Sequence, residues 1–506
     1  KSPRADLEGA SNWGFYSAQA EARLHSILGV QTWNGIRALD FVESLPDVDP
    51  KRIAVTGGSG GGTQTILLGA IDDRPIAAYP NGMVSTSMQG GCTCENCSLL
   101  RIGTGNVELA ALFAPRPQSM TAVNDWTKAM MAKGYPELKQ LYKMLGVPDG
   151  VDCVEMLRFP HNYNAVTRRL MYSWMNRHLN LGLDEPIVET DWALFTKEEA
   201  AIWTDDHPAP PGGIDYERQL LRQLDERDRQ ALFEHAPKTA SDQQEYRRLV
   251  QGAWATLIGR DVPNTEDIHR TKVWKAERPG YLEIGDILSL TSAGEQLPVI
   301  SLYPKSSKWN QEVVLWVDGV GKSGMFNGKD LHPDVQRLVG AGYSVVGLDM
   351  AGQGEFTTNR ETLTENRLVN NPRTYAGYTY TYNDTMFVQR VHDLLTLTAW
   401  INGDEHSPKA LHAVGVNGGG ELLAAARAIA GDELQNVAVV TQGFRFAGLA
   451  RWQDSRFVPG AVKYGDLPAL LSLAAPHPLW VGDEPQKLSI VTRAYAAADA
   501  ANAVTF

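Results

Sequence analysis

Cysteine is scarce in this sequence: four residues in 506 exclude a disulfide-dense scaffold. Long apolar runs are lacking as well, since no uncharged stretch approaches the ~20 residues of a membrane span. There is no excess of positive charge. With 47 Lys+Arg against 59 Asp+Glu the formal charge is −12, which argues against nucleic acid or an anionic membrane surface as the main partner, because both select basic surfaces. No signal-peptide pattern lies near Lys1, and the absence of an opening methionine predicts that the chain is not the primary translation product. What is present is ordinary for a soluble globular protein: 43% hydrophobic and 21% charged residues. The length predicts two or three domains at ~150 residues each. These quantities leave an acidic multi-domain protein, an enzyme or an extracellular binder.

An internal regularity narrows this. Residues 50–62 read Pro-Lys-Arg-Ile-Ala-Val-Thr-Gly-Gly-Ser-Gly-Gly-Gly, and residues 408–420 read Pro-Lys-Ala-Leu-His-Ala-Val-Gly-Val-Asn-Gly-Gly-Gly. Each copy is a β-prone run, a glycine-rich turn and a helix-prone stretch, the pattern of a strand–turn–helix unit. An amphipathic helix precedes each, around Trp33–Leu45 and Val391–Ile401, and an Ala-Pro-x-Pro segment follows each, Ala114–Pro117 and Ala475–Pro478. Three features in one order predict two copies of one α/β domain.

The copies differ at their beginnings. Strand-like runs at Tyr281–Leu290, Leu297–Tyr303, Glu312–Asp318 and Tyr343–Asp349 lead into the second. Only 49 residues precede Pro50, mostly helical in pattern, so the first sheet is expected to be short of early strands, completed by an upstream segment or a second chain. A polar connector separates the copies, with a Pro/Gly break at Pro208–Gly213, a charge-rich helix over Tyr216–His235 and a shorter helix over 241–258. The expected organisation is a first α/β domain over 1–185, a helical connector over 186–265 and a second α/β domain over 266–506.

Gly57-Gly58-Ser59-Gly60-Gly61 fits G-x-S-x-G between a strand and a helix, the nucleophile elbow. A serine on so sharp a turn projects its hydroxyl outward, and the helix N-terminus with the Gly60 N–H can stabilise an oxyanion. A plain glycine-rich turn with an incidental serine is the alternative. An acyl nucleophile needs a base, and the base needs an acid, in the chain order Ser, Asp or Glu, His. Asp125 follows the strand-like Ser119–Val123, and His161 follows the strand-like Val154–Phe159 and precedes a helix over Val166–His178. Both therefore fall where catalytic groups gather in open α/β sheets, although an Asp there also serves as a helix N-cap. His178 and His207 are weaker candidates, one ending a helix and the other in the connector. The second copy carries Asn417 for the serine and no histidine after Asp483, so it is expected to be catalytically degenerate.

These residues resemble a known family. Gly90-Gly91-Cys92-Thr93-Cys94-Glu95-Asn96, Leu99–Thr104, Leu112–Pro117, Asn124-Asp125-Trp126-Thr127-Lys128 and Phe159-Pro160-His161-Asn162-Tyr163-Asn164 are similar to bacterial acetyl xylan esterase-like α/β-hydrolases. The similarity covers most of residues 20–210 and, more loosely, the second half. It implies two tandem α/β-hydrolase-type domains with mostly parallel sheets flanked by helices. It also implies a secreted or periplasmic carbohydrate esterase that releases acetate from acetylated xylan without a cofactor. Ser59 would be nucleophile, Asp125 acid and His161 base, while the second oxyanion donor, which such hydrolases carry on an early loop, is expected in the missing start of the first domain.

Around that site, Glu95 and Arg101 lie after the strand that follows Ser59 and are candidate substrate contacts; a fold-stabilising ion pair explains them equally. Trp126, beside Asp125, is a third candidate contact, with core packing as its alternative. Trp174 and Trp254 also sit at helical spacing, while Trp203, Trp274 and Trp309 fall in irregular segments and suit an exposed platform. Cys92, Cys94, Cys97 and Cys153 allow a disulfide, free thiols or a metal knuckle, but C-x-C-x-x-C lacks the paired spacing of zinc ribbons and no histidine is close, so no metal is expected. A general carboxylesterase or serine peptidase of the same fold, and a non-catalytic carbohydrate-binding or assembly protein, are the competing functions; homo-oligomerisation is left open.

Overall fold

Short runs rich in Val, Ile and Ala, each followed by a glycine, proline or asparagine turn, form the strands that organise the molecule. The computed structural model describes residues 13–87, 90–370 and 375–506. They fall into two compact units: His25–Glu217 with Val369–Asn383, and Arg218–Leu368 with Asp384–Phe506, the latter joined by residues 13–24.

In the first unit, Ile53–Gly58 (β1), Pro75–Asn81 (β2), Gln118–Val123 (β3) and Val151–Met156 (β4) make a parallel sheet in the order β1-β2-β3-β4. Neighbours in sequence are neighbours in space, and each connection must return the chain to the same sheet end, so helical crossovers separate the strands. Helix Gly60–Ile71 joins β1 to β2 and buries Ile66, Leu67 and Leu68. Every residue of β3 is buried, as expected for a parallel strand covered on both faces. Met120, Ala122, Val151 and Cys153 share a core cluster with Leu138 and Tyr142 of helix Tyr135–Met144. Burial pushes the Cys153 thiol up to about 12, so this cysteine is an inert core residue.

The main sheet of the second unit has nine strands: Ile268–Arg278 (β5), Tyr281–Leu290 (β6), Glu295–Pro304 (β7), Glu312–Asp318 (β8), Ser344–Leu348 (β11), Ala410–Val416 (β12), Val437–Val440 (β13), Leu479–Gly482 (β14) and Val504–Thr505 (β15). Phe326–Asn327 (β9) and Asp330–Leu331 (β10) form a separate small hairpin. The sheet order is β15-β14-β13-β12-β8-β11-β7-β6-β5, antiparallel from β5 to β11 and parallel from there on. Sequence order reverses around β8 and β12, the switch point beyond whose strand ends open α/β sheets bind ligands. Asn417, at φ 52°, occupies that position.

Both sheets are mixed or parallel α/β sheets with helical crossovers, the fold class expected. The strand expected at 154–159 is shifted: it spans Val151–Met156, paired with Gln118–Val123, and the chain then turns through a Phe159 N–H to Met156 carbonyl bond of 3.0 Å. Among the helices, Ala240–Ile258 starts with a Thr239–Asp242 capping box and buries Tyr246, Val250, Trp254 and Ile258. Trp254 is wholly buried, its ring 5.7 Å from that of Phe446. Trp254→Ala is expected to destabilise the second unit by about 3–5 kcal/mol, the usual cost of emptying a buried aromatic site, measured by chemical denaturation.

Candidate active site

The site is built at one edge of the parallel sheet, where β1 to β4 all end. β1 leads into Ser59, which adopts φ 58° and ψ −119°, a left-handed conformation that a non-glycine residue tolerates only when its surroundings impose it. Two backbone bonds impose it here. The Ser59 N–H donates to the Asn81 carbonyl at 3.0 Å, and the Thr63 N–H donates to the Ser59 carbonyl at 3.0 Å. The glycines make room: a Cβ on Gly57 would lie 2.5 Å from the Gly61 carbonyl group, and one on Gly62 would lie 2.7 Å from the Asn81 oxygen. Gly61 itself has open space where its Cβ would be, so the steric need extends past the pentapeptide to Gly62. Gly60 is the first residue of helix Gly60–Ile71, so its N–H belongs to the unsatisfied first turn that favours negative charge.

β3 delivers Asp125. Its Oδ1 accepts the Thr127 N–H at 2.7 Å and the Thr127 hydroxyl at 2.6 Å, and its Oδ2 lies 2.7 Å from Nδ1 of His161. The carboxylate side chain is 4% exposed, while that of His161 is 33% exposed. A buried carboxylate with three polar contacts has one rotamer to adopt, and the imidazole beside it is oriented in turn. Because the carboxylate can only accept, Nδ1 carries the proton, which leaves Nε2 with its lone pair.

Loop contacts hold the histidine. The Asn124 N–H donates to the Phe159 carbonyl at 2.8 Å, and Asn81 Nδ2 donates to the Asn162 carbonyl at 2.8 Å. The Trp126 ring packs against the His161 ring at 4.4 Å, and its Nε1 donates to the Gly82 carbonyl at 2.9 Å. Gly82, at φ +67°, lies under the imidazole: a Cβ there would come within 2.9 Å of His161 Cε1 and 4.0 Å of the Ser59 nitrogen. Ser59 and His161 thus border the same glycine from opposite ends of the chain segment. Gly82→Ala is expected to lower kcat ~10²-fold through a misplaced imidazole, measured by initial rates, and to lower the melting temperature by a few degrees because alanine is strained at positive φ.

Asn81 and Gly82 were not among the residues singled out from sequence. Their signal was weak, an Asn-Gly pair ending a strand, which reads as a common turn. Asn81 is 1% exposed, and besides its contacts to Ser59 and Asn162 its Oδ1 accepts from the Thr121 hydroxyl.

The structure places Glu95 and Arg101 in one loop with different roles. Glu95 Oε2 accepts the N–H groups of Gly91 at 2.5 Å and Cys92 at 3.0 Å, and its Oε1 is 3.2 Å from where a Gly60 Cβ would stand. Its carboxylate therefore sits directly against the elbow. Arg101 is 2% exposed and bonds the Glu95 carbonyl, the Asn96 Oδ1 and the Asn106 Oδ1 at 2.9–3.2 Å. It holds the loop through backbone and amide acceptors and does not pair with the Glu95 carboxylate in those bonds. Residues from far along the chain brace the same loop. The Leu99 and Arg101 N–H groups donate to the carbonyls of Tyr380 and Thr381, each at 2.8 Å. Cys92 and Cys94 form a disulfide, in which neither Cys97 nor Cys153 takes part. Among the described residues, no group of three or more His, Cys, Asp or Glu side chains is arranged to hold a metal ion, and no helix is long and apolar enough to cross a membrane.

A model of the acetyl xylan esterase family (AXE1) matches residues 32–82, the stretch from the helix before β1 through the elbow to Gly82. A comparison with curated protein sequences finds no match. Among solved structures, Methylesterase BT1017 is 35% identical over 33% of this chain and 37% of its own, with a TM-score of 0.30. Acetyl Xylan Esterase 1 from Thermoanaerobacterium sp. JW/SL YS485 is 16% identical over 55% of this chain and 88% of its own, with a TM-score of 0.33. A family 15 glucuronoyl esterase from Caldicellulosiruptor kristjansonii is 18% identical over 35% of this chain and 56% of its own, with a TM-score of 0.26. The chain thus spans little more than a third of the length of Methylesterase BT1017.

Proposed function

We propose that this protein is a serine esterase that removes acetyl groups from acetylated xylan or a related polysaccharide. The observation that carries the reading is the constellation at the strand ends: a serine held at positive φ on an elbow, and a hydrogen-bonded Asp125–His161 pair bordering the same glycine. The acetyl substrate class is supported by the family match over residues 32–82.

The geometry performs the reaction as follows. Ser59 Oγ attacks the acetyl carbonyl carbon as His161 Nε2 takes its proton, and Asp125 stabilises the imidazolium through Nδ1. The oxyanion develops beside the N-terminus of helix Gly60–Ile71, where the Gly60 N–H and the helix dipole favour negative charge. As the tetrahedral intermediate collapses and the bond from the acetyl carbon to the sugar oxygen breaks, the imidazolium protonates that oxygen, releasing the sugar alcohol and leaving acetyl-Ser59. Water, deprotonated by the same nitrogen, then releases acetate and restores the serine. Trp126 limits the imidazole to one side, and Glu95, against Gly60, is placed to accept a hydrogen bond from a sugar hydroxyl. The second unit, with Asn417 where the first has Ser59, has no acyl nucleophile and contributes structure or substrate binding. Secretion or periplasmic export accompanies this reading, because the polymer is extracellular.

The test is acetate release from acetylated xylan, run beside methanol release from a methyl-esterified polysaccharide and cleavage of a peptide substrate, with fluorophosphonate labelling of Ser59. Labelling and acetate release are expected. Labelling with release of another product would keep the serine hydrolase and reassign its substrate; no adduct on Ser59 would remove the hydrolase reading and leave a carbohydrate-binding protein.

A further inference from the structure

A cavity that takes no part in the chemistry above lies wholly within the second unit. The turn into β7, from Ala293 to Leu297, forms one side, and helix Met386–Asn402 forms the other. Ala351 and Phe356, from the chain that leaves β11, line it as well. Its volume is about 490 Å³, within the ~300–1,000 Å³ of pockets that hold small organic molecules.

Its ionisable and ring groups fall into two sets. One is closed on itself: Arg260 donates to the Glu295 carboxylate, and to the His392 carbonyl and Thr396 hydroxyl at 2.6 Å each, and that hydroxyl donates to Glu295 at 2.9 Å. The other set is open. His392 Nε2 donates to the Ile258 carbonyl at 2.6 Å, which leaves a lone pair on Nδ1. Asp393 is 5% exposed, and its Oδ2 accepts the Ala351 N–H at 2.7 Å. Its Oδ1 has no partner among the described residues and keeps accessible surface where Asp393 lines the cavity. Asp384, just before the helix, has no hydrogen-bond or ion-pair partner among the described residues. Two carboxyl groups thus face one cavity without a counter-ion, since Arg260 is held by Glu295 and the buried Arg390 is spent on the carbonyls of Ala351 and Leu363. Burial raises both above the usual carboxyl range, Asp393 to about 8, and the same burial lowers His392 and keeps it neutral. A cation supplies the charge that lets these acids ionise, and it brings donors to a set of acceptors. Among the described residues no three His, Cys, Asp or Glu side chains are arranged to hold a metal ion, which favours an organic cation, and the exposed Phe356 ring offers a face to its hydrocarbon part and to its charge.

We infer that this cavity binds a small primary alkylammonium ion, its N–H groups directed at Asp384 and Asp393 and its hydrocarbon part against Phe356. The inference does not rest on the Ser59 reading, so Ser59→Ala leaves this binding unchanged.

Isothermal titration of the full chain in amine-free buffer tests it, with cyclohexylammonium as the probe, cyclohexanol as its neutral counterpart and calcium chloride as a bare cation. At about pH 9 cyclohexylammonium binds ~10-fold more tightly than cyclohexanol. Its affinity falls as the pH drops towards about 6, because protonating the two acids removes the charge that holds it while the ammonium stays charged. The other charged groups around the acids, Arg260, Glu295 and Arg390, are engaged as described, and His392 stays neutral. Asp384→Asn and Asp393→Asn each weaken cyclohexylammonium binding ~10-fold and leave cyclohexanol unchanged. Asp384→Asn breaks no hydrogen bond, so it decides the question even if the buried substitution disturbs folding. No binding of cyclohexylammonium overturns the inference. So do equal affinity for cyclohexanol, tighter binding of calcium, an affinity that does not fall with pH, or binding unmoved by Asp384→Asn.

Discussion

Ser59→Ala is expected to lower kcat/KM for ester hydrolysis by a factor on the order of 10⁴–10⁶, the scale seen when a hydrolase loses its nucleophile, with no change in melting temperature beyond a degree or two. The expectation of an intact fold has a specific basis. Ser59 is fixed by its backbone N–H to Asn81 and its carbonyl to Thr63, and no hydrogen bond from its hydroxyl caps the following helix. Alanine keeps both backbone bonds and inherits the same positive φ that serine already bears. Only the attacking oxygen is lost. Rates on acetylated xylan and fluorophosphonate labelling should disappear together. Persistent turnover with a native melting curve would show that another residue attacks the ester.

Asp125→Asn is expected to cost ~10³–10⁴-fold in kcat, for a reason that lies in the tautomer. The Thr127 N–H and hydroxyl both donate to Oδ1, so an asparagine at 125 keeps its oxygen toward Thr127 and turns its NH₂ toward His161. A donor now faces Nδ1. The imidazole must accept there and carry its proton on Nε2, which can no longer take the serine proton. The fold should hold, because the Thr127 contacts survive and the change is isosteric. The measurement is kcat across pH with a melting curve as control. A loss under tenfold would mean that His161 is oriented mainly by Trp126 and Gly82, and that Asp125 serves as the cap of the short turn after β3.

How much of this was legible in sequence follows from the range of the interactions concerned. The elbow was legible because it is local: a strand, a glycine turn and a helix lie within twenty residues, and the conformation of Ser59 depends on glycines at fixed offsets. The repeat was legible for the same reason, since Asn417 carries a positive φ in a turn of the same pattern. The Asp125 and His161 positions were readable as ends of consecutive strands, although β4 is displaced by three residues because its register is set by pairing with Gln118–Val123 and not by its own composition. Arg101 was ambiguous in sequence. Its charge suggested a partner carboxylate, but its geometry recruits carbonyl and amide oxygens of its own loop, a choice made by packing.

Four cysteines with little else to recommend them set the first limits on this protein, and the sequence alone determined the α/β class, the glycine-rich turn that carries Ser59 in one half and Asn417 in the other, and the chain order of Ser59, Asp125 and His161. Those are properties of residue identity and short-range pattern. The tertiary structure alone decided that His161 meets Asp125 at 2.7 Å, that Gly82 leaves space for its ring, and that Tyr380 and Thr381 brace a loop some 280 positions earlier (Arg101 and Thr381 differ by 280). It also decided which cysteines join, Cys92 with Cys94. Apart from the disulfide, which joins residues two positions apart, each of these depends on contacts between segments distant in sequence, whose pairing is selected by the burial of whole strands and helices.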